Sequence, residues 1–198
     1  KGLLRVLSRE KDASLRAAAA QALAELAPAE ALEALVASLS DPSPEVRQAA
    51  VSALAALGGE AVVEPLIGVA NDADEGVAQE ALRALGALGD ARAVEPLLAL
   101  AEGERPYLRE LAAASLAALG EPAMEALARL LLSADEVERE RGCALFGRLG
   151  EAALPFLQRL LEADNRDTRW RAVEAVARVE GEPAPDADEA CERRSDNG

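Results

Sequence analysis

VRQAAVSALAALG, from Val46 to Gly58, places Val46, Ala50, Leu54 and Leu57 at steps of four, four and three. That spacing draws one apolar stripe down a helix. Gly58 follows directly, where a helix commonly stops in a left-handed residue. One such run predicts one amphipathic helix; its recurrence decides the fold. LRAAAAQALAEL from Leu15, VAQEALRALGALG from Val77, LRELAAASLAALG from Leu108, ERERGCALFGRLG from Glu138 and TRWRAVEAVARV from Thr168 share its register, and the six starts lie 31, 31, 31, 30 and 30 residues apart. The fifth position is always small (Ala19, Ala50, Ala81, Ala112, Gly142, Ala172), as required where two helix backbones approach closely. The ninth is Leu23, Leu54, Leu85, Leu116, Phe146 and Val176, and the twelfth is Leu26, Leu57, Leu88, Leu119, Leu149 and Val179.

A shorter apolar segment precedes each later copy: ALEALVASL from Ala31, AVVEPLIGVA from Ala61, AVEPLLALA from Ala93, AMEALARLLL from Ala123 and ALPFLQRLL from Ala153. Pro65, Pro96 and Pro155 fall inside these segments, where a missing N–H and a ring clash predict a bend. Asp41, Asp72, Asp135 and Asp164 open the turns that follow, with Ser43 and Asp74 as expected N-caps. The unit is thus a kinked helix, a turn and a straight helix. Such a pair cannot bury its stripe alone and must stack on neighbours. The expected divisions are about 1–27, 28–58, 59–89, 90–120, 121–150 and 151–180, followed by an acidic flexible tail over 181–198 whose prolines, glycines and charges cannot support a core.

Composition narrows the function. The chain has 198 residues, no histidine, two lysines (Lys1 and Lys11) and four aromatic residues, Tyr107, Phe146, Phe156 and Trp170. Missing histidine removes the usual general base and the commonest metal ligand, so no catalytic residue, metal or cofactor is expected. A net charge of −15 opposes attraction to phosphate backbones or anionic bilayers. The longest uncharged run, Gln48 to Gly59, is too short to span a membrane. Cys143 and Cys191 read as free thiols in a reducing, cytoplasmic setting, with Cys143 at an inward register. The opening at Lys1 shows no signal-peptide pattern and reads as a piece of something longer.

The AVEPL-type first helix, the turn aspartate, the VR opening of the second helix and the closing LGD or LGE resemble HEAT-like repeats, specifically the bacterial short-repeat type of phycobilisome lyases. The resemblance covers Lys1 to about Glu180. It implies an all-α, right-handed α-solenoid of about six helix-pair repeats, with first helices on the convex side and second helices on the concave side. It also implies a structural ladder at the second register, where Arg16, Arg47, Arg109, Arg139 and Arg169 bridge to turn aspartates of their own or a neighbouring unit. Asp41 and Asp72 are the candidate partners. Ala78 interrupts that ladder, and Ser133 and Ala163 stand where Arg139 and Arg169 would need acids.

Function must then come from registers the core does not use: the third, fourth, seventh and eleventh, expected to face outward. The fourth and eleventh place Arg141, Arg148, Arg171 and Arg178 on one face of the last two copies, with Trp170 alongside. Arginine with tryptophan on an exposed face is a composition of binding hot spots; the bland alternative is a solvated face with Trp170 as a terminal cap. In the fourth copy Tyr107, Leu111, Ala114 and Ala118 add an apolar strip opposite the stripe, unless Tyr107 covers the turn and Leu111 fills the seam. Residues 138–178 hold eight arginines against seven acids, whereas residues 1–137 hold eleven cations against twenty-two acids.

The leading expectation is a non-enzymatic protein-interaction module or scaffold that takes an acidic or amphipathic partner segment on the concave face, with the acidic tail a candidate occupant in cis. The family resemblance supplies an alternative, attachment of a linear tetrapyrrole to a phycobiliprotein. The arginine and aromatic residues resemble those of HEAT-like DNA glycosylases, but three cations against twelve acids from Asp41 to Glu104 disfavour nucleic acid.

Overall fold

The computed structural model describes residues 2–26 and 31–182. Of the acidic tail expected over 181–198, with its proposed cis contact and Cys191, all but Gly181 and Glu182 lies outside the described residues. Among the described residues, twelve α-helices run in order: α1 (Gly2–Arg9), α2 (Ala13–Leu26), α3 (Leu32–Ser38), α4 (Pro44–Leu57), α5 (Val63–Val69), α6 (Glu75–Leu88), α7 (Val94–Glu102), α8 (Pro106–Leu119), α9 (Glu121–Leu131), α10 (Glu136–Leu149), α11 (Leu154–Leu161) and α12 (Arg166–Glu180). The chain packs as two compact units, Lys1–Pro122 and Ala123–Gly198.

In the unit Lys1–Pro122, the second helices α2, α4, α6 and α8 pack side by side in chain order, and each also packs on its own first helix, α1, α3, α5 or α7. This is the layered stacking of an α-solenoid. The fifth register forms the seam, with Ala19, Ala50, Ala81 and Ala112 all buried. Leu23, Leu54, Leu85 and Leu116 of the ninth register fill the core. Leu15, at the first register of the first copy, is instead 52% exposed, while its counterparts Val46, Val77 and Leu108 are buried.

The prolines act differently from expectation. Pro65 and Pro96 are the third residues of α5 and α7, and Pro155 is the second of α11; each helix is preceded by a short 3-10 turn, Glu60–Val62, Ala91–Ala93 or Gly150–Ala153. There is therefore no kink to build. In the first turn the proline nitrogen has no helical acceptor to lose, and the 3-10 turn redirects the chain.

Helix ends follow their local chemistry. Asp74 Oδ1 accepts from Val77 N at 3.1 Å, Asp135 Oδ1 from Glu138 N at 3.1 Å, and Asn165 Oδ1 from Asp167 N at 2.8 Å. Ser43 occupies the cap position of α4, but its side chain makes no capping bond. Gly58, Gly120 and Gly150 adopt positive φ with ψ between −132° and −169°, a region open only to glycine, and so turn the chain without strain.

In the unit Ala123–Gly198, α12 packs on both α10 and α11. Phe146 of α10 stacks on Phe156 of α11 with ring centroids 6.3 Å apart, and the Arg159 guanidinium lies 4.9 Å from the Phe156 centroid. Gly142 is glycine for a steric reason: a Cβ there would stand 2.7 Å from the backbone nitrogen of Leu131.

Candidate functional site

The arginines of the second register tie turn to turn. Arg16 Nε and Nη2 donate to the two carboxylate oxygens of Asp41, both at 2.8 Å, while Nη1 donates to the carbonyls of Glu10 and Lys11. Arg47 repeats the pattern on Asp72 at 2.9 and 2.7 Å, with Nη1 on the Asp41 and Pro42 carbonyls. Each guanidinium therefore caps its own turn with one nitrogen and grips the next unit's aspartate with the other two, a bidentate geometry that lysine cannot reproduce. The Arg16 hydrogen bond holds the Asp41 carboxyl below the usual range. Burial opposes ionisation of Asp72, but the Arg47 and Asp74 N–H hydrogen bonds and the Arg47 and Arg105 charges outweigh it, so its pKa is also lowered.

Ala78 removes the next rung, and Gly103 stands where its aspartate would be, 25 residues on. Arg105 takes over the vacated acceptor. Its Nη1 donates to the Asp72 carbonyl at 3.0 Å and to Asn71 Oδ1 at 3.1 Å. Arg109, Arg139 and Arg169 keep the turn-capping half of the pattern, donating from Nη1 to Gly103, to Ser133 and Ala134, and to Ala163 and Asp164 carbonyls respectively. Sequence reading passed over Arg105 because it lies outside the repeating register.

The outward registers are less uniform than a helical wheel implies. Ala49, at the fourth register, is buried because that register faces the neighbouring second helix. The same placement changes Arg171. Its side chain is only 16% exposed, with Nε on Asp167 Oδ2 at 2.8 Å and Nη1 on the Leu131 and Ser133 carbonyls at 3.3 Å. Expected as a projecting hot-spot cation, Arg171 instead binds the end of α9 and the turn after it. Arg141 and Arg148 are exposed on α10. Arg178 lines a cleft of about 380 Å³ between α10 and α12, shared with Glu136, Arg139, Glu140, Cys143, Glu174 and Glu182. Four carboxylates against two arginines make this cleft mixed in charge, not a basic cluster. Trp170 is half-buried and donates from Nε1 to Glu174 Oε1 at 3.0 Å.

Cys143 is a free thiol that lines this cleft, half-buried where an inward core position was expected. Burial and then the Glu174 charge push its pKa up, which opposes the thiolate. Among the described residues, no group of three or more histidine, cysteine or acidic side chains is arranged to hold a metal ion. No single described helix is long and apolar enough to cross a membrane.

On α8, Tyr107 is 38% exposed and its hydroxyl meets Gln79 Oε1 of α6 at 3.0 Å. Leu111 is half-buried, and Ala114 and Ala118 are exposed. A second open feature of that unit lies across α2, α4 and α6. It is a shallow groove of about 480 Å³ lined by Ser14, Ala17, Ala18, Gln21, Glu45, Gln48, Ala49, Ser52 and Glu80. Its alanine and serine side chains are short, and the amides and hydroxyls offer both donors and acceptors. Sequence reading singled out none of Gln21, Gln48, Ser52 and Glu80; the signal available was polar side chains recurring at the third, fourth and seventh registers.

Residues 1–79 and 63–145 match the family model for HEAT repeats. No curated protein matches the chain. Among solved structures, the complex of CpcE and CpcF of phycocyanin lyase from Nostoc sp. PCC7120 is 23% identical over 88% of this chain and 74% of that chain, with a TM-score of 0.55. The archaeal HEAT-like repeats protein from Thermococcus onnurineus NA1 is 19% identical over 96% of this chain and 83% of that one, at 0.47. Computationally designed armadillo repeat proteins for modular peptide recognition are 24% identical over 89% and 98%, at 0.46. At 23% identity and a TM-score of 0.55, the likeness to the lyase complex is one of fold.

Proposed function

We propose, for a chain that belongs to the HEAT repeat family, a non-enzymatic module that binds a protein segment along the second helices of the unit Lys1–Pro122. The groove across α2, α4 and α6 carries this reading. Its floor is alanine with serine and glutamine, so an incoming chain meets close backbone approach, apolar contact and hydrogen-bonding groups together. The Arg16–Asp41 and Arg47–Asp72 rungs hold the helices in register, which lowers the ordering cost of binding.

Selection of random 15-residue peptides on the intact chain tests the reading, with an Ala18→Tyr, Gln48→Tyr double variant as the blocked control. Both positions are exposed, so the fold is retained and the groove is filled. Recovered peptides should bind the blocked variant at least about tenfold more weakly. Recovery of none, or of peptides that bind both proteins equally, refutes the reading.

A further inference from the structure

The chemistry of the groove's ligand follows from its charge. Glu45 and Glu80 line it and no cationic side chain does. Arg83, which is not among the lining residues, pairs with the second Glu80 oxygen, Nη1 to Oε2 at 3.5 Å, and its own side chain is 67% exposed. Glu80 Oε1 accepts from the Ser52 hydroxyl at 3.2 Å. The background has the same sign: residues 1–122 carry ten cationic residues against nineteen acids, and Arg16, Arg47 and Arg105 among the cations are engaged in the turns.

We infer that the groove across α2, α4 and α6 takes an extended basic protein segment, its lysines or arginines set against Glu45 and Glu80. The inference rests on the binding reading above and names the partner's chemistry. It also departs from the acidic partner expected from the sequence, because the arginines that suggested one lie in the other unit, where Arg171 is bonded into a turn. Complementary charge steers encounter and rejects acidic competitors. Spacing follows from geometry: packed helices lie about 8–10 Å apart and an extended chain rises about 3.3 Å per residue, so a segment crossing them meets a new helix roughly every three residues.

The test uses the intact chain and three labelled 12-residue peptides, Lys-Thr-Ala repeated four times and its counterparts with Gln or Glu in place of Lys, followed by fluorescence anisotropy. The lysine peptide should bind most tightly. Its affinity should fall about fivefold in Glu45→Gln, Glu80→Gln, a size set by two partly screened charge pairs. It should fall at least about tenfold in Ala18→Tyr, Gln48→Tyr and weaken further as salt rises. Tighter binding of the glutamine or glutamate peptide, still blocked by the tyrosines, overturns the basic assignment and leaves the binding surface standing. Lysine-peptide binding indifferent to the tyrosines is attraction to the net charge alone and also overturns it. If no peptide responds to the tyrosines, both readings fall.

Discussion

Replacing Asp72 by Asn isolates what one rung of the arginine ladder contributes. The substitution is isosteric, and the amide oxygen can still accept from Asp74 N, as Oδ1 does at 2.8 Å in the native chain. What disappears is the charge and one half of the bidentate grip at 2.9 and 2.7 Å from Arg47. Removing one partner of a fully buried pair costs about 3–5 kcal/mol, and an exposed pair is worth about 1 kcal/mol or less. With 15% of the Arg47 side chain and 11% of the Asp72 side chain exposed, this rung lies between those limits, at about 2 kcal/mol. Urea unfolding at pH 7 reads the total. Hydrogen exchange reads where it acts, because stacked repeats lose stability first at the broken interface; the amides of α4, α5 and α6 should exchange faster while those of α1 do not. The pH dependence has a definite sign. Asp72 is ionised more easily in the fold than in the unfolded chain, so its contribution is complete above the unfolded value of about 3.9 and is lost as the pH drops through the lower folded value. Wild type and variant should therefore differ fully at neutral pH and converge below about pH 4. A loss under about 0.5 kcal/mol at pH 7, or a difference that widens in acid, refutes the reasoning.

Two glycines of α10 should respond unequally to alanine. At Gly142 the new Cβ meets the Leu131 backbone at 2.7 Å, so overpacking of about 1–3 kcal/mol exceeds the helix-propensity gain of about 1 kcal/mol and the chain loses stability. At Gly147 the contact at 2.7 Å is Arg178 Cγ, which a χ1 change of that exposed arginine relieves without moving backbone, so Gly147→Ala should cost less than Gly142→Ala, about 1 kcal/mol or less; urea midpoints in the reverse order would refute this. Cys143 should be alkylated by iodoacetamide at pH 7.5 about tenfold more slowly than glutathione, measured by peptide-resolved mass spectrometry, and Glu174→Gln should narrow the gap. Equal rates for Cys143 and glutathione would contradict the placement of the thiol.

Periodicity carried most of the fold because each helix pair solves the same packing problem. A small fifth residue, a leucine four later and a closing glycine are demanded wherever two helices of this length meet. The site was legible only in part. Helical register distinguishes inside from outside for a single helix, but Ala49 and Arg171 occupy an outward register that the neighbouring element covers. Arg105 and Gln48 show the complementary limit. Their roles depend on a carbonyl or a groove contributed by a different copy, so no spacing within one copy announces them.

By itself, then, the sequence determined the all-helical class, the length of the unit, the buried stripe and the absence of histidine chemistry, since these depend on local spacing and composition. Only tertiary structure decided where the prolines sit relative to each helix start, which carbonyls the arginines cap, and that the open groove bears Glu45 and Glu80 while Arg171 is locked in a turn. Those outcomes turn on hydrogen bonds and contacts between residues tens of positions apart, whose partners are chosen by packing.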